Sequence, residues 1–227
     1  MEATVKKYIE RVENAIDYGM DQLRWIQNQK IPRTKLNEEI INLEGWSTPE
    51  LKFFLNEMVK KDTRYLEIGV HRGSTFISAM YGNKFDFACA IDQFDPPYHN
   101  DDIIGDFLTK CRKHKVGNFL LIRNDSFNLK DEQRKMIEGI NTYFYDGGHT
   151  KDDHEQALTY YIDNLADTFI FMVDDWAHDD AREGTMSAIQ KLNLKVHKEW
   201  DLGHQQFEKK PGELSWHNRF YIAVVSK

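Results

Sequence analysis

Three aspartates offer the most specific chemistry in this sequence. Asp146 follows the apolar stretch 142–145, and the pair Asp174 and Asp175 follows the apolar stretch 169–173. If these stretches are neighbouring strands, the three carboxylates lie close together and repel one another unless a cation lies among them. Oxygen ligands that leave room for water and substrate favour Mg²⁺. The alternative interpretation is that these acids cap helices and face solvent.

A glycine-containing turn follows an earlier apolar stretch, 65–69. Gly69 and Gly73 allow a sharp turn and the close approach of a ligand, and Ser74 is placed to cap the helix that follows. Glu67 suits a ligand with a cationic amine. The G-x-x-x-G spacing differs from the G-x-G-x-x-G of dinucleotide sites, which argues against a dehydrogenase. A plain strand-to-helix turn remains the alternative.

Two further strand ends carry polar side chains. Asp92, followed by Gln93, ends one predicted strand, and its carboxylate can accept hydrogen bonds from both hydroxyls of a ribose. Asp125 and Ser126 end the next strand, where they could bind the exocyclic amine and a ring nitrogen of a purine. A helix cap or a solvated turn is the alternative at each position.

Apolar strands alternate with helical patterns along the chain, which predicts a mainly parallel sheet. The predicted strands are 65–69, 85–91, 119–122, 142–145, 169–173, 195–200 and 220–225. The predicted helices are 4–29, 49–60, 74–80, 101–114, 131–138, 152–164 and 180–192. The fold expected is a Rossmann-like, open α/β sheet of seven strands with helices on both faces and a C-terminal antiparallel hairpin. A helical N-terminal extension (1–60) would precede the main domain (61–227).

The first helix carries one apolar stripe on a charged surface, and such a stripe is normally buried. We expect a partner helix to cover it in a homodimer; packing on its own domain is the alternative. The helix that begins near Pro49 is predicted to have a hydroxyl cap from Ser47 or Thr48.

The strand ends together resemble those of the class I S-adenosylmethionine (SAM)-dependent methyltransferases, over about 64–227. The resemblance implies that the first turn holds the methionine end of SAM, that Asp92 with Gln93 holds the ribose, and that Asp125 and Ser126 lie on the adenine side. The residues of that first turn are Glu67, Gly69, Gly73 and Ser74.

The three aspartates resemble the metal ligands of metal-dependent O-methyltransferases. The pair Asp174-Asp175 is more similar to the branch that methylates sugars on macrolide and aminocoumarin antibiotics than to the catechol type, which has Asp-Asn. His149 stands where the catechol type has lysine, and Gly148 where the sugar branch has a second acid. The resemblance implies a hydroxyl of a small molecule, a sugar or glycoside, as methyl acceptor, with SAM and Mg²⁺ as cofactors.

His149 is the expected general base, with Asp146 beside it in the catalytic centre, because imidazole titrates near neutral pH. A capping role is the alternative. His154 and His178 are reserve candidates, and His71 is expected to face solvent. The acceptor site is expected among three variable segments: the stretch around Trp46, the loop 94–99, and 203–217. Aromatic side chains that could stack on a sugar are Trp176, Phe207 and Trp216.

Composition limits the remaining possibilities. The chain has 227 residues, a net charge of −7 and 41% hydrophobic residues, and its isoelectric point is about 5.7. An acidic balance argues against nucleic acid as a partner. No apolar run reaches the length of a membrane span, and residues 1–7 lack a signal-peptide pattern, so we expect no membrane association and a cytoplasmic protein. Two rival functions remain: a metal-independent SAM methyltransferase, and a SAM- or nucleotide-binding module without catalysis.

Overall fold

A computed structural model describes residues 1–95, 102–203, 216 and 218–227. These residues form one seven-stranded sheet with the strand order β3-β2-β1-β4-β5-β7-β6. The strands are β1 (Arg64–Ile68), β2 (Phe87–Asp92), β3 (Leu120–Arg123), β4 (Ile140–Tyr145), β5 (Leu165–Val173), β6 (Lys195–Leu202) and β7 (Phe220–Ser226). β1 to β5 pair in parallel, and β7 pairs antiparallel with both β5 and β6. The predicted Rossmann-like sheet and its antiparallel end are confirmed.

Helices cover both faces of this sheet. They are α1 (Glu2–Gln27), α2 (Glu38–Ile41), α3 (Pro49–Met58), α4 (Ser74–Met80), α5 (Ile103–Lys113), α6 (Asp131–Lys135), α7 (Lys151–Thr159) and α8 (Asp179–Lys191). One core lies between the sheet and α1, α3, α4 and α5, where Phe76 and Phe144 are fully buried. The other lies beneath α7 and α8, where Tyr143 and Ala188 are fully buried. Successive side chains of each strand point to opposite faces of the sheet and so pack into one core or the other.

The first sixty residues share their core with the sheet. Val12 and Ala15 on the stripe of α1 are completely buried, as are Phe53 and Phe54 on α3, and α1 packs directly against α3. The stripe is therefore covered by the same chain, so its burial gives no argument for a partner helix. Among the described helices, none combines the length and apolar character needed to cross a membrane.

The beginning of α3 differs from the sequence prediction. Thr48 is the residue before the helix and Pro49 takes the first helical position, but the Thr48 hydroxyl makes no capping hydrogen bond. Ser47 instead pairs its hydroxyl with that of Ser74, 2.8 Å away. The predicted hydroxyl cap is wrong: the Thr48 hydroxyl has no hydrogen-bond partner among the described residues, and the Ser47 hydroxyl joins the loop before α3 to α4.

Candidate active site

A cavity of about 840 Å³ lies at the carboxyl ends of β1, β2, β4 and β5. The chain turns in opposite directions after β1 and β4, which leaves a crevice between these neighbouring strands. Polar side chains from the predicted strand ends line it together with the loop before α3. Its volume lies within the range of small-molecule sites.

The turn after β1 brings two strand ends close together. Gly69 has a φ of 87°, and a Cβ there would lie 1.7 Å from the carbonyl oxygen of Asp146. Only glycine fits this approach. Gly73, with a φ of 82°, is the residue before α4 and packs against Phe107 behind the cavity.

Ser74 does not have the predicted capping role. It is the first residue of α4 rather than its cap, because the left-handed Gly73 takes the capping position. The Ser74 hydroxyl bonds to Ser47 and donates to the carbonyl of Leu43. Ser74 still lines the cavity, where it joins α4 to the loop before α3.

Glu67 lies behind the cavity wall and is fully buried. Its two carboxylate oxygens accept hydrogen bonds from the hydroxyls of Tyr65 and Thr75, each at 2.6 Å. Burial raises the pKa of Glu67 to about 7, the two hydroxyl donors act against that shift, and the charge of Asp92 adds to it. The structure thus places this side chain beneath the turn, so any effect on a bound amine would act through the wall.

Asp92 ends β2 at the cavity surface. Its Oδ2 accepts from the backbone N–H of His71 at 2.7 Å, and its Oδ1 accepts from that of Phe94 at 2.6 Å. The carboxylate therefore joins the turns after β1 and β2. Gln93 lines the cavity beside it. His71, expected to face solvent, also lines the cavity and is half-buried.

The two residues predicted for the adenine side separate in the structure. Ser126 lines the cavity, as does Asn124, which sequence reasoning missed. Asp125 does not line it; its carboxylate accepts from the backbone N–H of Phe127 at 2.9 Å. Asp125 thus makes the local turn that was the alternative interpretation of this position.

Asp146, Asp174 and Asp175 come together as the sequence predicted. Each offers a carboxylate oxygen, and these atoms all lie within 4.8 Å of one another. The cluster forms because β4 and β5 pair in parallel, with Tyr145 opposite Val173. Asp174 is 5% exposed, and its Oδ1 has no hydrogen-bond partner within the described part of the chain.

Electrostatics at this cluster oppose the ionised state. Burial, followed by the charges of Asp174 and Asp175, raises the pKa of Asp146 well above its usual range. Burial and the charge of Asp175 likewise raise the pKa of Asp174. A divalent cation bound here would offset the repulsion between the carboxylates, and the unpartnered oxygen of Asp174 would be one of its ligands. The three carboxylates therefore fit a hard divalent metal such as Mg²⁺.

His149 lies at the rim of this cluster. Thr150 caps α7 through reciprocal hydrogen bonds with Asp153, which fixes the chain direction directly after His149. The imidazole is half-exposed, and its Nδ1 lies 3.4 Å from the Oδ2 of Asp175. His149 thus lies next to the Asp175 carboxylate, and it lines the cavity.

The reserve histidines separate clearly. His178 lines the cavity, but His154 is 1% exposed and neither of its ring nitrogens has a hydrogen-bond partner among the described residues. Burial lowers the pKa of His154 to about 4. His154 is therefore a neutral core residue packed on Tyr145, so it cannot reach an acceptor.

The loop 42–48 forms one side of the cavity mouth and carries Trp46. This indole is 78% exposed and stacks on His71 with ring centroids 5.9 Å apart. The buried ammonium of Lys52 anchors the loop by donating to the carbonyls of Ile41 and Leu43 at 2.8 and 2.7 Å. An exposed aromatic ring is therefore held at the mouth by buried contacts.

The other aromatic candidates belong to the core. Trp176 is buried and stacks on Tyr221, and Trp216 is buried against Phe54 and Phe220. The prediction that either indole could stack on a sugar is wrong, because both rings fill space beneath the sheet ends. Phe207 lies outside the described residues, as do 96–99 of the loop after Asp92 and 204–215 of the late segment. Asp95 of that loop lines the cavity.

Sequence reasoning missed Asn218, which lines the cavity from the beginning of β7. Its Nδ2 donates to the Oδ1 of Asp175 at 2.6 Å. No motif surrounds this residue, because the contact joins positions far apart in sequence. Its residue type suits the place it takes, since asparagine is enriched where φ is positive and Asn218 has a φ of 53°.

Several solved structures share this fold. TYW2 of M. jannaschii, solved in complex with AdoMet, superposes with a TM-score of 0.55 at 13% identity, covering 82% of this chain and 78% of that one. Precorrin-6y C5,15-methyltransferase of Geobacter metallireducens gives 0.52 at 16% identity, covering 84% and 93%. Fibrillarin of Aeropyrum pernix, with natively bound SAM, gives 0.50 at 15% identity, covering 73% and 67%.

Sequence comparisons add no closer relative. No protein-family model matches the chain, and a search of curated proteins found no match. At these identities the structural likeness concerns the fold. The chain has the Rossmann-like fold that these class I SAM-dependent methyltransferases share.

Proposed function

We propose that this protein is a SAM- and Mg²⁺-dependent O-methyltransferase acting on a hydroxyl of a small molecule, a sugar or glycoside. One observation carries the proposal: three carboxylates of a candidate metal site open into the same cavity as the Asp92 and Ser126 strand ends. The charges of such a cluster would be costly to hold there without a cation, which favours the metal-dependent reaction over the metal-independent one.

The fold supports SAM as the methyl donor. Two of the structures with the same fold contain SAM, which is also abbreviated AdoMet. In such folds the ligand lies at the carboxyl ends of the strands. SAM supplies an activated methyl group: an acceptor oxygen attacks the methyl carbon in line, the carbon–sulfur bond breaks, and S-adenosylhomocysteine is the leaving group. Asp92 and Gln93 are proposed to bind the ribose, Ser126 to lie on the adenine side, and the turn from Gly69 to Ser74 to hold the methionine end.

Asp146, Asp174 and Asp175 are proposed to hold the metal. Mg²⁺ bound there supplies Lewis acidity, which offsets the negative charge that develops when a hydroxyl loses its proton. The protein's own contribution is to hold three oxygen ligands on the ends of two paired strands.

His149 is proposed as the general base. Nδ1 lies 3.4 Å from the Asp175 carboxylate. We propose that the neutral ring carries its proton on Nδ1 and leaves Nε2 to accept the acceptor's hydroxyl proton. The proton thus moves to His149 while the methyl group moves to the oxygen, and Asp175 stabilises the imidazolium that forms.

The cavity supports a small acceptor. Its volume suits a small molecule, and the exposed Trp46 offers an apolar ring face at the mouth. Aromatic faces of this kind pack on the C–H faces of sugar rings while the hydroxyls remain free for polar contacts.

A panel of sugars, glycosides and catechols incubated with methyl-labelled SAM tests the proposal. We expect label on a sugar or glycoside with Mg²⁺ present and loss of labelling in EDTA that excess Mg²⁺ restores. Full turnover in EDTA would return the case to the metal-independent methyltransferase. Calorimetric binding of SAM with turnover on no acceptor would favour the non-catalytic binding module.

A further inference from the structure

Asn218 ties the beginning of β7 to the end of β5. Its amide Nδ2 donates to the Oδ1 of Asp175 at 2.6 Å, while the other carboxylate oxygen of Asp175 lies 3.4 Å from Nδ1 of His149. One oxygen of the Asp175 carboxylate is thus held by a hydrogen bond, and the other lies next to the His149 ring. Within the described residues, Asp174 beside it has an oxygen with no partner at all.

The backbone around this contact is built to hold it. Asp175, Asn218 and Arg219 have φ values of 53°, 53° and 66°, a conformation that costs energy in residues with a side chain and tends to occur at functional sites. The backbone N–H of Trp176 donates to the carbonyl of Arg219 at 3.2 Å, and that of Ala177 to Asn218 at 2.8 Å. Two backbone hydrogen bonds therefore join the turn after β5 to the turn before β7, and we call this contact the clasp.

The clasp is anchored away from the cavity as well. The Arg219 guanidinium binds the carboxylate of Asp201 on β6 through two nitrogens, one at 2.9 Å. Arg182 on α8 donates to the carbonyl of Trp176 at 2.6 Å. Because both turns are braced from neighbouring elements, the Asn218 amide meets Asp175 in a fixed position.

We infer that Asn218 is a positioning residue of the metal site, fixing the orientation of the Asp175 carboxylate toward the cation; this rests on the proposed metal-dependent function. Because the Asn218 amide occupies Oδ1, Oδ2 is the oxygen left available to the cation. Partners of metal ligands that act in this way typically change metal affinity by about 10–100-fold when they are removed.

A titration with Mn²⁺ alone tests the inference without an acceptor. Binding is measured as the loss of the free Mn²⁺ signal in electron paramagnetic resonance. Asn218→Gly removes the amide while glycine tolerates the positive φ, so the clasp of the backbone is retained. We expect about 10–100-fold weaker Mn²⁺ binding in this variant. Asn193→Gly is the matched control, because Asn193 also has a positive φ, 52°, but lies after α8 on the exposed surface.

The outcomes separate the two proposals. Weakened Mn²⁺ binding in Asn218→Gly with unchanged binding in Asn193→Gly supports the inference, provided that thermal unfolding shows both variants folded. Equal affinity in wild type and Asn218→Gly overturns the inference and leaves the metal site standing, since a residue that serves only the fold would change the melting temperature alone. Absence of Mn²⁺ binding in the wild type overturns the proposed metal site and the inference with it.

Discussion

At the ends of β1 and β2, the carboxylates of Glu67 and Asp92 have both oxygens bonded by hydroxyls or backbone N–H groups of the protein. At the ends of β4 and β5, Asp174 keeps a buried oxygen without a partner in the described residues. The β1 and β2 part of the site is therefore a braced half, in which the acids already have their hydrogen-bond partners within the protein. The second half is incomplete by itself, which is the condition expected where a cation completes the polar contacts.

The largest effect is expected from Asp174→Asn, which removes a charge from the incomplete half at constant size. Methyl transfer should fall by about 10³-fold or more, because the Lewis acidity of a metal is worth several kcal/mol. SAM affinity should stay unchanged, since the braced half is untouched. Initial rates on a labelled acceptor and calorimetry with SAM measure the two quantities. A variant that keeps wild-type rates would remove Asp174 from the metal site.

His149→Ala should slow transfer by about 10²–10⁴-fold if the imidazole is the general base. Mn²⁺ binding should persist, because the three carboxylates remain. The control is His178→Ala, which changes a histidine on the cavity rim and should retain activity. His154→Ala is unsuitable as a control, because that ring is buried in the core. Equal losses in the His149 and His178 variants would contradict the assignment of the base.

Replacing Glu67 tests whether ionisation of a buried carboxyl in the braced half lowers the stability of the protein. Its folded pKa of about 7 lies above the ordinary 4.5, so its stabilising contribution is fully present below the ordinary value and is lost as pH rises through about 7. Urea unfolding should show Glu67→Gln gaining on the wild type between about pH 5 and pH 8, by on the order of 3 kcal/mol. Parallel stability curves for the two proteins would show that the carboxyl ionises normally.

Asp92→Ala is expected to give the smallest change, a loss of about 1–3 kcal/mol in SAM binding free energy. The loss has two sources: hydroxyl partners left unmet, and the turns of His71 and Phe94 released from their brace. Asp92→Asn keeps one accepting oxygen and should fall between wild type and Ala. Calorimetry with an unchanged SAM dissociation constant in Asp92→Ala would take this residue out of the site.

The sheet could be predicted because its parallel strands are buried on both faces and appear as apolar runs with polar ends. The same logic located Asp146 and Asp174, since neighbouring parallel strands bring their ends together. Boundaries moved by a few residues where side chains outside the element decide its end. At α4 the predicted bounds hold, but the left-handed Gly73 takes the capping position and Ser74 has another role.

Other parts of the site could not be predicted, because type and spacing do not specify which way a side chain points. Glu67 lies at a strand end like Asp92, yet it faces the core and Asp92 faces the cavity. Trp46 and Trp176 differ in the same way, one exposed and the other buried. Asn218 was missed because its partner, Asp175, is distant in sequence and the contact depends on the antiparallel insertion of β7.

The anchoring of the loop 42–48 bears on how acceptor preference could diversify. Lys52 binds main-chain carbonyls of Ile41 and Leu43, so the anchor depends on the path of the loop and not on its side chains. An exposed residue such as Trp46 can therefore be exchanged without disturbing the anchor or the metal cluster on the far strands. If the proposed function holds, the molecule separates an exchangeable residue at the cavity mouth from the aspartate cluster, which makes position 46 a natural starting point for redesigning specificity.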